Sequence, residues 1–307
     1  MDHRYTKVTV QVPASTANLG PGFDAIGLTI DLWNQASFKL IDEGYVVQAN
    51  GESADEVPKD ETNFILESFF QLYRHLDEPL PRGVSVRCIN RIPLASGMGS
   101  STAAMLTGLL AANAMLGAPL DKFDLLDLAT TIEGHPDNIA PALFGGLTIG
   151  TIKDDQKVMM HQYLIPVMPI LIVLPDVVLL TEDARALLPD MVPRKDAIFN
   201  HSRTPFLIEA LRSGNLSLLA EATRDRLHQP YRFPKIPGAR RALEVARETG
   251  ALAATLSGAG PGLFVIPGQE RRDIAAAMLQ AFEESGVNAR AFHLASSNHG
   301  ASVSPLK

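Results

Sequence analysis

The sequence predicts an α+β protein of two domains. The first 50 residues are typical of strands, because "KVTVQV" alternates in polarity and "AIGLTIDLWNQASFKL" is rich in β-branched and aromatic side chains. Helix-like and strand-like segments then follow without the regular alternation of a βαβ series. A chain of 307 residues is also long for one hydrophobic core. We therefore predict domains over 1–160 and 161–307.

The first predicted domain continues past its strands with helices placed by apolar spacing and capping residues. Gly117 and Pro119 are expected to end one helix, and Asp121 to cap the next. Gly145 and Gly146 suggest a close approach of two backbones. In order, we predict a helix over 61–76, a strand over 83–90, a loop over 93–99, helices over 100–116 and 122–133, and a strand over 141–152.

The second predicted domain mixes both kinds of element. Its order differs from that of the first half, which places the boundary near 150–168. In order, we predict a strand over 170–174, helices over 182–188, 196–213 and 239–249, strands over 251–258 and 262–267, a helix over 269–285 and a strand over 290–294.

Composition and charge exclude several classes of function. The net charge of −7 argues against nucleic acid as the main partner, because no basic field covers the chain. The most apolar run, "MPILIVLPDVVLL", is interrupted by Pro175 and Asp176 and is too short to cross a bilayer. "MDHRYTKVTV" lacks the apolar segment of a signal peptide. We expect a cytoplasmic protein with no membrane partner.

The single cysteine rules out an intrachain disulfide framework and fits a reducing compartment. Cys88 lies in "GVSVRCIN", which is typical of a strand. We interpret it as a core residue rather than a nucleophile.

A glycine- and serine-rich loop runs directly into a long apolar helix in "IPLASGMGSSTAAMLTGLL". Gly97 and Gly99 permit unusual backbone angles, and the helix adds about half a positive charge at its N-terminus. This combination suits a di- or triphosphate, and Ser100 or Ser101 could ligate Mg²⁺. A plain N-cap after a flexible turn explains the loop equally well. The pattern is not a Walker P-loop, because GxxxxGK[ST] is absent.

Three further stretches carry candidate functional residues. In "VPASTANLGPGFDAIGL", Asn18 and Asp24 could face a cationic or hydroxylated ligand. An Asx-type turn, whose side chains hydrogen-bond to their own backbone, is the stronger interpretation. In "EGHPDNIAPALFGG", Glu133 is a plausible Mg²⁺ ligand, whereas His135 fits a loop residue better than a general base. "LSGAGPGLFV" could be a simple hairpin, or could press its backbone against the phosphate loop.

The four stretches in this order resemble the GHMP small-molecule kinases, and most closely the members that phosphorylate homoserine. The resemblance runs from Val8 to about Val265. The first stretch is the most specific, because mevalonate and galactose kinases usually carry a lysine or arginine there. The resemblance implies an N-terminal domain like ribosomal protein S5 domain 2 and a ferredoxin-like C-terminal domain. It further implies ATP-dependent phosphorylation of L-homoserine in threonine biosynthesis, and a homodimer.

The resemblance also implies roles for individual residues. ATP would lie on Pro93, Leu94, Ala95, Ser96, Gly97, Met98, Gly99, Ser100, Ser101, Thr102 and Ala103, with Asn63 near the adenine. Ser101 and Glu133 would hold Mg²⁺. The substrate ligands would be Asn18, Asp24, Asn138, Arg185 and Arg232.

Within that set, Asp24 and Asn18 would meet the substrate's amino group and hydroxyl. Arg185 and Arg232 would clamp its carboxylate, since planar guanidinium binds carboxylates bidentately. A surface ion pair is the alternative for each arginine. No lysine–aspartate pair stands at the expected motifs, so we predict that Asn18 and Asn138 position the hydroxyl, which loses its proton late.

Two departures from the family pattern bear on these roles. Thr102 stands where alanine or glycine is usual and crowds the helix start. The segment between Glu133 and Asn138 is shorter than in many relatives, which bears on Glu133 as a metal ligand. The rival functions are a GHMP kinase for mevalonate or shikimate and a non-catalytic metabolite sensor. The presence of Ser100, Ser101 and Glu133 argues against the sensor.

Overall fold

The protein is described from a computed structural model, which covers residues 5–268 and 271–305. Within these residues the chain forms a seven-stranded sheet and a four-stranded sheet. The strands of the first sheet are β1 (Lys7–Asn18), β2 (Gly22–Leu40), β3 (Gly44–Gly51), β4 (Gly83–Asn90), β5 (Leu147–Ile152), β6 (Val158–Tyr163) and β11 (Ser302–Pro305). They have the order β11-β1-β2-β4-β3, and β5 and β6 extend the sheet from β2.

The helices of the first half cover one face of this sheet. They are α1 (Phe64–His75), α2 (Ser100–Met115), α3 (Lys122–Glu133) and α4 (Ile139–Phe144). Almost every side chain of α2 is buried, as expected for a helix that is apolar all round. Gly108 lets α1 approach closely, because a Cβ there would lie 2.2 Å from the carbonyl oxygen of Ile65. This close contact packs the middle of α2 against α1.

The second sheet has the order β10-β7-β9-β8, and every pairing in it is antiparallel. Its strands are β7 (Pro169–Pro175), β8 (Ala251–Leu256), β9 (Leu263–Pro267) and β10 (Ala289–Ala295). The remaining helices are α5 (Thr181–Ala186), α6 (Arg194–Ser213), α7 (Leu219–Ala222), α8 (Gln229–Arg232), α9 (Ala239–Glu248) and α10 (Arg271–Glu283). With α9 and α10 packed on it, the sheet has the βαββαβ pattern of a ferredoxin-like domain.

Several local predictions are confirmed. Asp121 caps α3 through a reciprocal capping box with Asp124. Cys88 is buried in the core, and burial raises the pKa of its thiol to about 12, which makes it a poor nucleophile. The predicted close approach at Gly145 and Gly146 is confirmed, because a Cβ at Gly145 would lie 2.4 Å from the carbonyl oxygen of Asn298.

The strand predicted over 141–152 is wrong in its first half. Residues 139–144 form α4, and the strand begins only at Leu147. Asn138 already has helical backbone angles, and Gly145 ends the helix at φ +89°. Pro141 lies in the first turn, where the missing N–H costs no helical hydrogen bond. Burial against α2 and β1 stabilises this short helix, and its apolar composition resembles a buried strand in sequence.

Two strands escaped the sequence prediction altogether. β6 pairs with β5, and β11 returns from the end of the chain to pair with β1. The chain passes from the first sheet to the second between Tyr163 and Pro169, and it returns to the first sheet at β11. The division at residue 160 stays a prediction. Across the described residues, no helix combines the length and apolar character needed to span a membrane. The predicted helix over 269–285 begins partly outside the described residues.

Candidate active site

One cleft of about 590 Å³ brings the four sequence motifs together. Its walls come from both halves of the chain: the glycine loop and α3–α4 turn on one side, and α5, α8 and the β8–β9 turn on the other. Every predicted site residue lines this cleft except Pro93, Met98 and Ala103, which lie within the loop and first helical turn behind it. Met98 and Ala103 are fully buried.

The glycine loop has the backbone shape of an anion site. Gly97 and Gly99 both have positive φ, at 74° and 68°, and Ala95 has φ 47°. Gly99 is the N-cap of α2 and offers no side chain to cap the helix. The first N–H groups of a helix lack partners within it, so those of α2 remain available to a ligand. Gly99 is thus an N-cap without a side-chain hydrogen bond, and phosphate binding by the loop stays a prediction.

The β8–β9 turn presses against this loop. Ser257 donates its hydroxyl hydrogen to the carbonyl oxygen of Gly97 at 2.6 Å. A Cβ at Gly97 would lie 2.2 Å from the carbonyl oxygen of Ser257, and one at Gly262 would lie 2.3 Å from that of Ser96. Both interpretations of this stretch hold, because it joins the antiparallel strands β8 and β9 and also contacts the glycine loop. It ties the position of the loop to the second sheet.

Glu133 ends α3 with its carboxylate facing the start of α2. Thr102 donates its hydroxyl hydrogen to Glu133 Oε1 at 3.1 Å. Among the described residues Glu133 has no ion-pair partner, and burial raises the pKa of its carboxyl group against the opposing effects of His135 and Thr102. Thr102, expected to crowd the helix start, also holds this carboxylate through a hydrogen bond.

Asn18 lies in a turn of left-handed residues and is almost fully buried. Its side-chain amide donates to the carbonyl oxygen of Gly258 at 3.0 Å and accepts from the backbone N–H of Asp24 at 2.9 Å. The amide thus joins the first motif to the β8–β9 turn. Its catalytic role stays a prediction, and its structural role is visible in these two bonds.

Asp24 and Arg185 form a bidentate ion pair across the cleft. Arg185 Nη1 donates to Asp24 Oδ2 at 3.0 Å, and Nη2 donates to Oδ1 at 2.7 Å. This bond with Asp24 raises the pKa of Arg185. The ion-pair alternative for Arg185 is therefore present, although the pair is half buried in the cleft rather than on the outer surface.

Arg232 is almost fully buried and held at several atoms. Its Nε donates to the carbonyl oxygen of Ala184 at 3.3 Å, and Nη1 donates to that of Gly258 at 3.3 Å. Burial, followed by the nearby charge of Arg185, lowers the pKa of Arg232 to about 10, so it stays protonated at neutral pH. The guanidinium groups of Arg185 and Arg232 lie 5.6 and 5.5 Å from the centre of the Phe23 ring.

Asn138 stands under the start of α2. Ser15 donates its hydroxyl hydrogen to Asn138 Oδ1 at 3.0 Å. A Cβ at Gly99 would lie 2.3 Å from Ser15 Oγ, so the loop, β1 and α4 meet here with no spare space. Ser15 was not identified from the sequence, because nothing local distinguishes it from other strand residues.

The turn after Glu133 contains a buried hydrogen-bonded pair, His135 and Asp137. His135 Nδ1 lies 2.7 Å from Asp137 Oδ1, and both side chains are buried in the cleft wall. Burial acts to lower the pKa of His135, but the hydrogen bond and charge of Asp137 outweigh it and raise that pKa. His135 is a loop residue, as predicted. It is held by Asp137 and faces the cleft.

The opposite end of the cleft is apolar and lies near Asn63. Asn63 caps α1, accepting from the N–H of Ile65 at 3.0 Å and donating to the carbonyl oxygen of Pro58 at 2.7 Å. Its neighbours in the wall include Val47, Val57, Pro58, Phe64, Ile65 and Ile92. An apolar slot beside this glycine loop suits a nucleobase. Asn63 shapes this slot through the backbone.

Comparison with known proteins agrees with this geometry. Residues 63–146 match the GHMP kinases N terminal domain, and residues 207–286 match the GHMP kinases C terminal domain. A homoserine kinase of Nostoc sp. is 40% identical over 96% of this chain and 98% of its own length. That of Moorella thermoacetica is 38% identical over 96% of this chain and 99% of its own.

The fold agrees as well. The crystal structure of homoserine kinase from Cytophaga hutchinsonii superposes with a TM-score of 0.84 at 26% identity, covering 99% of both chains. The matched regions include the glycine loop, the α3–α4 turn and the helices that carry the buried arginine. The chain therefore belongs to the GHMP kinase family and, within it, to the homoserine kinases.

Proposed function

We propose that this cleft transfers the γ-phosphoryl group of ATP to the side-chain hydroxyl of L-homoserine, releasing ADP and O-phospho-L-homoserine. The observation that carries the proposal is one cleft lined by the glycine loop together with Asp24, Arg185 and Arg232. The loop suits a polyphosphate, and the charged group suits an amino acid. Relatives named homoserine kinase support the same substrate.

The amino-acid site is charged in a way that matches a zwitterion. Asp24 offers a carboxylate to an ammonium group, and the two guanidinium groups offer donors to a carboxylate. In the structure Asp24 and Arg185 satisfy each other. Binding of the zwitterion would exchange this internal ion pair for two pairs with the substrate, so neither charge would be left unpaired. We propose this exchange as the basis of substrate selection.

The nucleotide site uses backbone rather than side-chain charge. The N–H groups at the start of α2 and the dipole of this long helix would hold the phosphates of ATP. No lysine lies among the described residues that line the cleft. Charge neutralisation would therefore depend on the helix, the arginines and a divalent cation.

The donor set beside the loop fits Mg²⁺. Glu133 is a partly buried carboxylate that forms no direct ion pair with another described residue, and Ser101 exposes a hydroxyl at the helix start. Mg²⁺ usually takes one or two protein oxygens and completes its shell with phosphate and water. Ser101 and Glu133 would hold the ion, and Thr102 would orient the glutamate. The bound ion would supply charge neutralisation at the phosphates.

The reaction needs an in-line approach of the hydroxyl to the γ-phosphorus. A bond forms between the homoserine oxygen and phosphorus, and the bond between phosphorus and the β–γ bridging oxygen breaks. Asn18 and Asn138 would position the hydroxyl, and its proton would leave late, to the transferred phosphoryl group or to solvent. Asp24 would bind the ammonium group and would not take this proton.

Replacing Asp24 with asparagine tests that division of roles. We expect the KM for L-homoserine to rise about 100-fold, because a charged hydrogen bond is lost and Arg185 loses its partner. The turnover number at saturating substrate should fall much less. Steady-state kinetics against both substrates measure the two effects. If turnover disappeared while homoserine binding by calorimetry stayed unchanged, Asp24 would be the general base.

The proposed activity itself is tested by ADP release with Mg²⁺-ATP and five acceptors. We expect strong turnover of L-homoserine, weak turnover of L-threonine, and none with D-homoserine, mevalonate or shikimate. Buried charges left unpaired by a missing ammonium group can reject an analogue by roughly 10⁴-fold. Turnover of mevalonate would be consistent with the GHMP kinase fold but would contradict the proposed amino-acid site.

ATP binding with no ADP release from any acceptor would instead favour a non-catalytic metabolite sensor. We further propose a cytoplasmic homodimer, on the family resemblance alone. Size-exclusion chromatography with light scattering measures the oligomeric state.

A further inference from the structure

His228 is a fully buried imidazole immediately before α8. It touches the active site from behind, through Arg232 on one side and the carbonyl oxygen of Gly20 on the other. Gly20 belongs to the same turn as Asn18 and leads to Asp24. The ring therefore stands between the turn that carries the carboxylate of the amino-acid site and the buried arginine of that site.

The hydrogen bonds determine the protonation of this ring. A guanidinium group can only donate, so Arg232 Nη1, 3.0 Å from His228 Nδ1, requires Nδ1 to be an acceptor. A carbonyl oxygen can only accept, so Gly20, 2.8 Å from Nε2, requires a proton there. Only the neutral tautomer with its proton on Nε2 satisfies both contacts. Burial lowers the pKa of His228, which favours the same neutral form.

The other charges around the ring agree with this assignment. Asp225 Oδ2 lies 3.6 Å from Nε2, and its two oxygens accept from the N–H groups of residues 227, 228 and 229 and from Asn200. Asp225 is thus occupied by the backbone and leaves the imidazole to Gly20. Arg232, on α8, and Asp24, on β2, also act electrostatically on the ring.

We propose that His228 is a positioning residue that orients the Arg232 guanidinium in the amino-acid site by accepting its hydrogen bond at Nδ1. The bond from Nε2 to the carbonyl oxygen of Gly20 selects the tautomer in which Nδ1 can accept. This inference rests on the proposed function, in which Arg232 receives the substrate carboxylate. The effect of His228 is confined to the binding of L-homoserine, because neither hydrogen bond of the ring involves the glycine loop.

Two substitutions separate the two contacts. His228→Asn keeps an acceptor near the position of Nδ1 and removes the donor to Gly20. His228→Gln keeps a donor near the position of Nε2 and removes the acceptor for Arg232. We expect His228→Gln to raise the KM for L-homoserine about tenfold or more, the effect of losing one charged hydrogen bond. His228→Asn should stay within about threefold of the wild-type value, since that bond is kept.

The KM for ATP should not change in either variant, and circular dichroism with a melting curve checks that both are folded. If His228 had only a structural role, its substitution would weaken the binding of both L-homoserine and ATP, or would raise the KM for L-homoserine equally in the two variants. Equal rises in the KM for L-homoserine, or a matching rise in the KM for ATP, would overturn the inference.

The amide of L-homoserine separates this inference from the proposed function. It keeps the ammonium group and the hydroxyl but lacks the carboxylate, so the difference between His228→Gln and wild type should vanish with it. Arg232→Met is the reference variant and should lose its preference for L-homoserine over the amide. If Arg232→Met kept that preference, the assignment of Arg232 would fail. If it lost the preference while the two His228 variants behaved alike, only the inference about His228 would fail.

A measurement on the wild-type protein covers the case in which a variant does not fold. Imidazole ¹⁵N spectra should show His228 neutral with its proton on Nε2. The Nδ1 signal should shift when L-homoserine binds and stay in place with ATP alone. A proton on Nδ1, or an Nδ1 signal unmoved by L-homoserine, would contradict the proposal.

Discussion

Gly97→Ala is expected to abolish phosphoryl transfer and to destabilise the protein. Gly97 has φ +74°, and an added Cβ would lie 2.2 Å from the carbonyl oxygen of Ser257 and 3.1 Å from that of Gly260. Both neighbours are backbone atoms of the opposing turn, so the strain can be relieved only by moving the loop or the second sheet. We expect turnover to fall by about 10³-fold, because displaced donors no longer match the phosphates.

The matched control is Gly44→Ala. Gly44 has φ +85° and nothing within 4 Å of an added Cβ, so it carries the same conformational cost without the clash. We expect about 1 kcal/mol of destabilisation there and unchanged kinetics. Gly97→Ala should lower the free energy of unfolding by roughly 2–4 kcal/mol, since overpacking adds to the strain. Denaturant unfolding and ATP titration measure both. Equal kinetics in the two variants would show that the inter-turn contact is dispensable.

Glu133→Gln is expected to have the second large effect. The substitution keeps the shape of the side chain and its contact with Thr102, and removes the negative charge proposed to bind the metal ion. We expect the turnover number to fall by about 100-fold or more, and the Mg²⁺ concentration for half-maximal rate to rise. Titration of activity with Mg²⁺ at fixed ATP measures both changes.

The control for this prediction is Glu43→Gln, which removes the same charge at an exposed turn between β2 and β3. Thr102→Val gives a graded version, because it removes only the hydroxyl that orients Glu133. It should shift the Mg²⁺ requirement in the same direction by roughly tenfold. A Glu133→Gln enzyme with unchanged Mg²⁺ dependence would show that the metal ligand lies elsewhere.

The site could be largely anticipated from local sequence because its parts are short and chemically distinctive. The glycines of the loop, the apolar helix after it and the cap at Asp121 depend on backbone angles and on spacing within about ten residues. Such features are visible in a single sequence. The α4 helix was missed for the same reason, since a six-residue buried segment has no periodicity that separates helix from strand.

Strand partners and ion pairs depend instead on contacts between distant residues. β11 has too few residues to show a pattern and exists because β1 offers an open edge. Asp24 meets Arg185 across 161 residues, and Asn18 meets Gly258 across 240. No local pattern encodes these meetings, although the helical spacing of His228 and Arg232 places them on one face.

The family, the glycine loop and the residue types of the candidate site could be read from the sequence. The hydrogen bonds and ion pairs that these residues form could be seen only in the tertiary structure. Asn18 joins two turns, Thr102 orients Glu133, and Asp24 is bound to Arg185. The reason is physical: a backbone loop can be specified by the angles of its own residues, whereas the state of a buried charge depends on whichever groups the fold brings within hydrogen-bonding distance.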